Sequence, residues 1–150
     1  MNREQALNRV EQGWKAFLES FTDLKDNMLM ESGAVGHWSV RDVLTHITSW
    51  EEEALKALPI ILDGNPTPRY RRYGGIDAFN ALEQERKRQL SIDEVKQELM
   101  ATHKHLLTFL AELPESVFSA NRRFLKRLRL DTYNHYREHA VQITRWRAER

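Results

Sequence analysis

Apolar side chains recur along the N-terminal part of the chain at helical spacing. Ala6, Val10, Trp14, Phe17, Phe21, Leu24 and Met28 follow one another at intervals of three and four, which places them on one stripe of a helix from about Arg3 to Leu29. Residues 31–38 contain two glycines and read as a connector. Ser39 followed three residues later by Asp42 is a capping-box pattern. It opens a second helix with Val40, Val43, Leu44, Ile47, Ala54, Leu55 and Leu58 on its apolar stripe, and Pro59 is expected to kink or end it. Asp63 to Gly75, rich in glycine and proline, is the clearest loop, and its length suits a functional loop better than a tight turn. Asp77–Gln89 reads as a short helix anchored by Phe79 and Leu82. Ser91 and Glu94 form a second capping box before a stripe of Ile92, Val95, Leu99, Leu106, Phe109, Leu110 and Leu113, stopped at Pro114. Residues 114–125 read as irregular. A last helix is predicted from about Leu128 to Arg147, with Tyr136, Ala140 and Ile143 in the core.

No segment alternates as a strand does. The pattern predicts an all-α chain: a four-helix bundle with a long crossover loop and a short extra helix between helices 2 and 3. At 150 residues and 41% hydrophobic content the whole chain, 1–150, is expected to be a single domain. No apolar run reaches the length of about 18 residues that a membrane span needs. The N-terminus has no apolar signal-peptide centre, so a cytoplasmic protein without a membrane partner is expected.

Charge narrows the function classes. Lys+Arg is 23 and Asp+Glu is 22, a balance that argues against a dedicated nucleic-acid binder. The chain has no cysteine, which excludes disulfides, thiolate zinc sites and cysteine nucleophiles. Basic residues gather in two places. Arg69, Arg71 and Arg72 surround Tyr70 and Tyr73 in the long loop. From Asn121 to Arg150 there are nine basic and three acidic residues, a local charge of +6. These clusters are either solvated positive surface or a site for a small anionic ligand; single-stranded nucleic acid is the less favoured use of RYRRY.

The chemistry that stands out is histidine. His135 and His139 are spaced i, i+4, so both imidazoles share one face of the last helix and sit close enough to grip one ion. Pairs at this spacing also arise by chance on solvated faces. HYREH matches the inverted zinc-protease pattern H-x-x-E-H, but only eleven residues follow His139 and the acid among them, Glu149, is on the same helix. His46 lies near the buried side of the second helix, where a lone histidine is more often a hydrogen-bonded core residue. Taken together, the three could offer three nitrogens and one open position, the pattern of a catalytic metal site, with nickel, zinc or iron(II) all open. Trp50 and Glu53 follow His46 along its stripe, and Gln142 and Trp146 follow His135. Trp50 could wall a pocket and Gln142 could orient a substrate or a water. Glu138 is either an acceptor for an imidazole N–H or an exposed partner for an arginine. Core packing is favoured for Trp14 and Trp146. His37, His103 and His105 are set aside, with His103 at the edge of a core stripe.

HWSVRDVLTHITSWEEEAL, GIDAFN and HYREHAVQITRW, in that order, resemble the DinB/YfiT-like superfamily, and the resemblance runs over nearly the whole chain. The Phe79-Asn80 element and the layout look closest to the ClbS/DfsB branch. The resemblance implies a four-helix bundle holding a divalent metal, commonly nickel or zinc, on three histidines that fall on His46, His135 and His139. It implies a pocket shaped by Trp50 and Asn80, a metal-dependent thiol transferase or hydrolase acting on small electrophilic or toxic molecules, and a low-molecular-weight thiol such as bacillithiol, mycothiol or glutathione as co-substrate. The loop arginines could then hold that thiol. Relatives often form homodimers. The ClbS/DfsB branch includes a genotoxin-inactivating protein without the triad, so the alternative expectation is a non-catalytic protein that binds and sequesters a small molecule.

Overall fold

The structure is a computed structural model describing residues 1–150. It contains only helices: α1 (Arg3–Phe21), α2 (Asp26–Leu29), α3 (Val40–Leu62), α4 (Ile76–Lys87), α5 (Ile92–Ala111), α6 (Glu115–Ala120), α7 (Arg122–Asp131) and α8 (Tyr133–Ala148), with a 3₁₀ turn at Tyr70–Tyr73. Four long elements make the bundle. α3 packs on α5 and α7, and α1 packs on α8 and α5. One apolar core runs through all of them, with Phe17, Leu44, Ile47, Leu58, Leu106 and Tyr136 sealed inside. No helix is long and apolar enough to cross a membrane.

The helix starts follow the caps. Ser39 Oγ accepts from the Asp42 amide at 3.1 Å, and Asp42 returns the bond to the Ser39 amide at 3.0 Å. Ser91 and Glu94 do the same for α5, and Asn2 with Gln5 does so for α1. Each cap satisfies amides that have no partner within the helix.

Four boundaries and one anchor differ from the expectation. The first helix stops at Phe21, because Thr22 and Asp23 are weak helix formers and the Arg147 guanidinium pulls that end over. Arg147 donates to the Ser20 carbonyl at 2.9 Å and pairs with Asp23 at 2.7 Å. The chain turns and resumes as α2, which keeps Leu24 and Leu29 in the core. Pro59 does not end α3; burial of Leu58 and Ile61 around it carries the helix on to Leu62. Leu82, expected as an anchor of α4, is exposed, and Phe79 is the one buried apolar side chain of that helix. Residues 114–125 are helical, with Phe118 and Phe124 packed edge to face at 5.8 Å. The last helix is two helices. Thr132, with φ −124° and ψ −100°, breaks it into α7 and α8. The break lets one segment lie on α3 and the next on α1. There the backbones come so close that a Cβ on Gly13 would stand 3.1 Å from Tyr133 Cβ.

α4 is held against α3 by buried cations. Arg41 donates to the carbonyls of Lys87, Arg88 and Leu90, closing the C-terminal end of α4. The buried Lys87 ammonium donates to Ser49 Oγ at 2.8 Å and pairs with Glu52. This fixes Asn80 and the loop before it beside α3.

Candidate metal centre

α3 and α8 bring three imidazoles to one point. His46 comes from α3, and His135 and His139 come from successive turns of α8. His135 Nε2 lies 2.9 Å from His46 Nε2 and 3.0 Å from His139 Nε2. His139 Nδ1 donates to Gln142 Oε1 at 2.7 Å. That bond places the His139 proton on Nδ1 and leaves its Nε2 a bare acceptor aimed at the other two rings. Burial pushes His46 down to about 3 and His135 down to about 2, each helped by the neighbouring imidazoles. His139 is lowered as well, by burial. Burial thus disfavours the charged form of all three rings, and the neutral form is the one that ligates metal.

These residues fit a divalent cation. Three Nε2 atoms face one another with too few protons to bond them all, and His135 Nδ1 is buried without a partner. Two nitrogens on one ion at about 2.1 Å stand about 3.0 Å apart at a right angle and about 3.4 Å apart at the tetrahedral angle. The separations here lie at the short end of that range. The three residues form the one group of histidine and acidic side chains close enough to share an ion.

The triad opens into a cavity of about 430 Å³. Trp50 walls it, and its indole N–H donates to Asn80 Oδ1 at 2.9 Å. Tyr70, from the 3₁₀ turn of the crossover loop, leans on Trp50 at 5.0 Å between ring centres. Ile76 and Leu130, both about half exposed, form apolar lips. Arg127 lines the cavity too; its Nε donates to Asp131 Oδ2 at 2.6 Å, and its Nη2 donates to the Tyr70 hydroxyl at 2.6 Å. The Tyr70 hydroxyl in turn donates to Glu53 Oε1 at 3.0 Å. Burial pushes the Asp131 carboxyl up to about 6, against the pull of Arg127. Burial also raises the Tyr70 hydroxyl to about 12.

The residues singled out from the sequence thus occupy different places. His46, His135, His139, Trp50 and Asn80 line the cavity. Gln142 stands behind His139, and Glu53 stands behind Tyr70. Glu138 is exposed at the rim. Arg69, Arg71 and Arg72 are exposed and group with Pro68 on the outer side of the loop; the arginine that lines the cavity is Arg127. Arg127, Asp131, His135 and His139 step by four along the chain, a series that spacing could have exposed if the helix were read back through Thr132. A second cavity of about 510 Å³ shares Asn80 and includes His37, Trp38 and Arg41, but it gathers no group of metal-ligating side chains.

His103 is not at the edge of a stripe. It lies in the core, stacked on Trp14 at 3.7 Å. It bonds Glu51 Oε2 through Nδ1 at 2.7 Å and Glu11 Oε1 through Nε2 at 2.9 Å. The Tyr136 hydroxyl donates to the same Glu51 oxygen. Burial alone would lower His103, but the two carboxylates outweigh it and raise it.

The sequence profile of the DinB superfamily matches residues 9–143. The chain belongs to the DinB superfamily. Among solved structures, the sibling lethal factor precursor DfsB superposes with a TM-score of 0.81, at 12% identity, over 99% of this chain and 96% of its own. An uncharacterised protein from Escherichia coli UTI89 superposes with a TM-score of 0.79, at 12% identity, over 99% of this chain and 94% of its own. At that identity the likeness is one of fold. No curated protein sequence matches the chain. The four-helix bundle expected from the hydrophobic pattern is the fold of this superfamily member.

Proposed function

We propose that the chain is a divalent-metal enzyme that joins a small thiol or a water to a small electrophilic molecule, as an S-transferase or a hydrolase. The observation that carries this reading is the convergence of three imidazole nitrogens in an open, ligand-sized cavity. His46, His135 and His139 would hold the ion, nickel or zinc by their chemistry, and leave it open toward the cavity. The ion supplies a Lewis acid that lowers the pKa of a thiol or water beside it. The chain's own residues do the rest. Gln142 holds the His139 ring and its tautomer. Trp50 and Tyr70 offer aromatic faces to the body of a substrate. Asn80 holds the Trp50 ring in place.

Zinc-loaded and nickel-loaded protein, incubated with glutathione and the electrophile 1-chloro-2,4-dinitrobenzene, is expected to form the thioether and release chloride faster than protein stripped of metal. His135→Ala is expected to lose that rate. A metal-loaded protein that binds the aromatic compound and turns over neither thiol nor water favours the second reading, a sequestration protein.

A further inference from the structure

The wall of the cavity carries a donor pair that the fold does not use. Arg127 has five N–H groups. Its side edge is occupied: Nε serves Asp131 and Nη2 serves Tyr70. These two bonds fix the plane of the guanidinium. The other edge, formed by Nη1 and the second Nη2 hydrogen, meets no protein acceptor. Nη1 is also absent from the buried polar atoms that lack a partner, of which there are two, Glu51 Oε1 and His135 Nδ1. Solvent therefore reaches it, and Arg127 is among the residues that line the cavity. Such a fork matches a carboxylate, two parallel N–H···O bonds in one plane. A partly buried, preset fork loses little freedom when it binds. Trp50, Ile76 and Leu130 line the same cavity and give it apolar surface.

We infer that Arg127 is the specificity residue of this cavity, and that the ligand is a small molecule with an apolar or aromatic body and a carboxylate that docks on the free edge of Arg127. This deepens the proposed function and rests on its choice of cavity; it does not require the ion. Arg127 is a binding residue here, and Asp131 and Tyr70 position it.

The test uses phenylacetate and its neutral isostere phenylacetamide, titrated into metal-stripped and zinc-loaded protein by NMR, with metal content measured on each sample. The wild type is expected to bind phenylacetate about tenfold or more tightly than the amide, the range of a charge-assisted bidentate contact. Arg127→Met is expected to abolish that preference. Because the substitution strands Asp131, the double variant Arg127→Met/Asp131→Asn is measured beside it, and both are checked for folding by circular dichroism. Arg127→Lys keeps the charge and loses the fork, so it is expected to lose most of the preference. Metal-stripped wild-type protein is expected to retain it. A preference that survives Arg127→Met and disappears with the metal would overturn the assignment and leave the metal reading standing. Equal binding of the two probes, or binding of neither, would also overturn it, and the metal content would decide the other reading separately.

Discussion

His103→Leu is the substitution whose cost the structure sets most sharply. Glu51 is fully buried, and His103 Nδ1 and the Tyr136 hydroxyl are the donors to its one bonded oxygen. Its other oxygen already lacks a partner. Removing the imidazole leaves a carboxylate inside the core with one hydrogen bond. Breaking a buried ion pair from one side costs about 3–5 kcal/mol. Loss of the Trp14 stack adds about 0.5–1 kcal/mol. The cost comes from the stranded charge, so removing the charge as well restores most of it. Glu51→Met/His103→Leu is expected to lie within about 1–2 kcal/mol of wild type, because apolar replacement of a buried pair is often neutral. Urea unfolding of the two single variants and the double closes the cycle. Additive costs, or a His103→Leu variant as stable as wild type, would refute the reasoning. The pair also predicts a pH dependence with a definite sign. His103 is raised in the folded state, so its contribution is complete below the ordinary histidine value of 6.5 and fades as pH rises through the raised one. Wild type should therefore lose stability relative to the double variant as pH rises above 6.5. The comparison must be a difference, because the three lowered imidazoles of the metal centre act in the opposite sense: they cost stability as pH falls below 6.5.

Three further outcomes follow from single contacts. Gly13→Ala should cost about 1–2 kcal/mol in urea unfolding, since the new methyl meets Tyr133 at 3.1 Å and crowding outweighs the gain in helix propensity; a more stable variant would contradict the close approach of α1 and α8. Gln142→Ala should weaken zinc affinity about 10–100-fold, measured by competition with a chelator, because His139 loses the acceptor that sets its tautomer; unchanged affinity would remove Gln142 from the site. Ser39→Ala should lower stability by about 1 kcal/mol without changing zinc affinity, as it removes one cap and nothing at the centre.

Much of the fold was legible because the helices announce themselves locally. The stripes of α1, α3 and α5 and the caps at Ser39 and Ser91 are patterns within a few residues of one another. What escaped depends on distant partners. The stop after Phe21 is held by Arg147, more than a hundred residues away in the chain. The break at Thr132 arises because α7 and α8 pack on different helices. His103 looked peripheral because its partners Glu51 and Glu11 lie on other helices. The site divides the same way. The i, i+4 spacing puts His135 and His139 together, and His46 joins them only through the packing of α3 on α8. Arg127 and Asp131 stayed hidden among basic residues because the break conceals that their series leads to the two histidines. The loop arginines were more conspicuous in sequence than Arg127, yet it is Arg127 that reaches the cavity.

The central claim is that His46, His135 and His139 hold a divalent ion. The most direct measurement is elemental analysis of protein purified without an affinity tag, wild type beside His135→Ala, before and after incubation with nickel and zinc. About one ion per chain is expected in the wild type, and its loss in the variant. A wild type that takes up neither metal, or a variant that binds as much as the wild type, would contradict it.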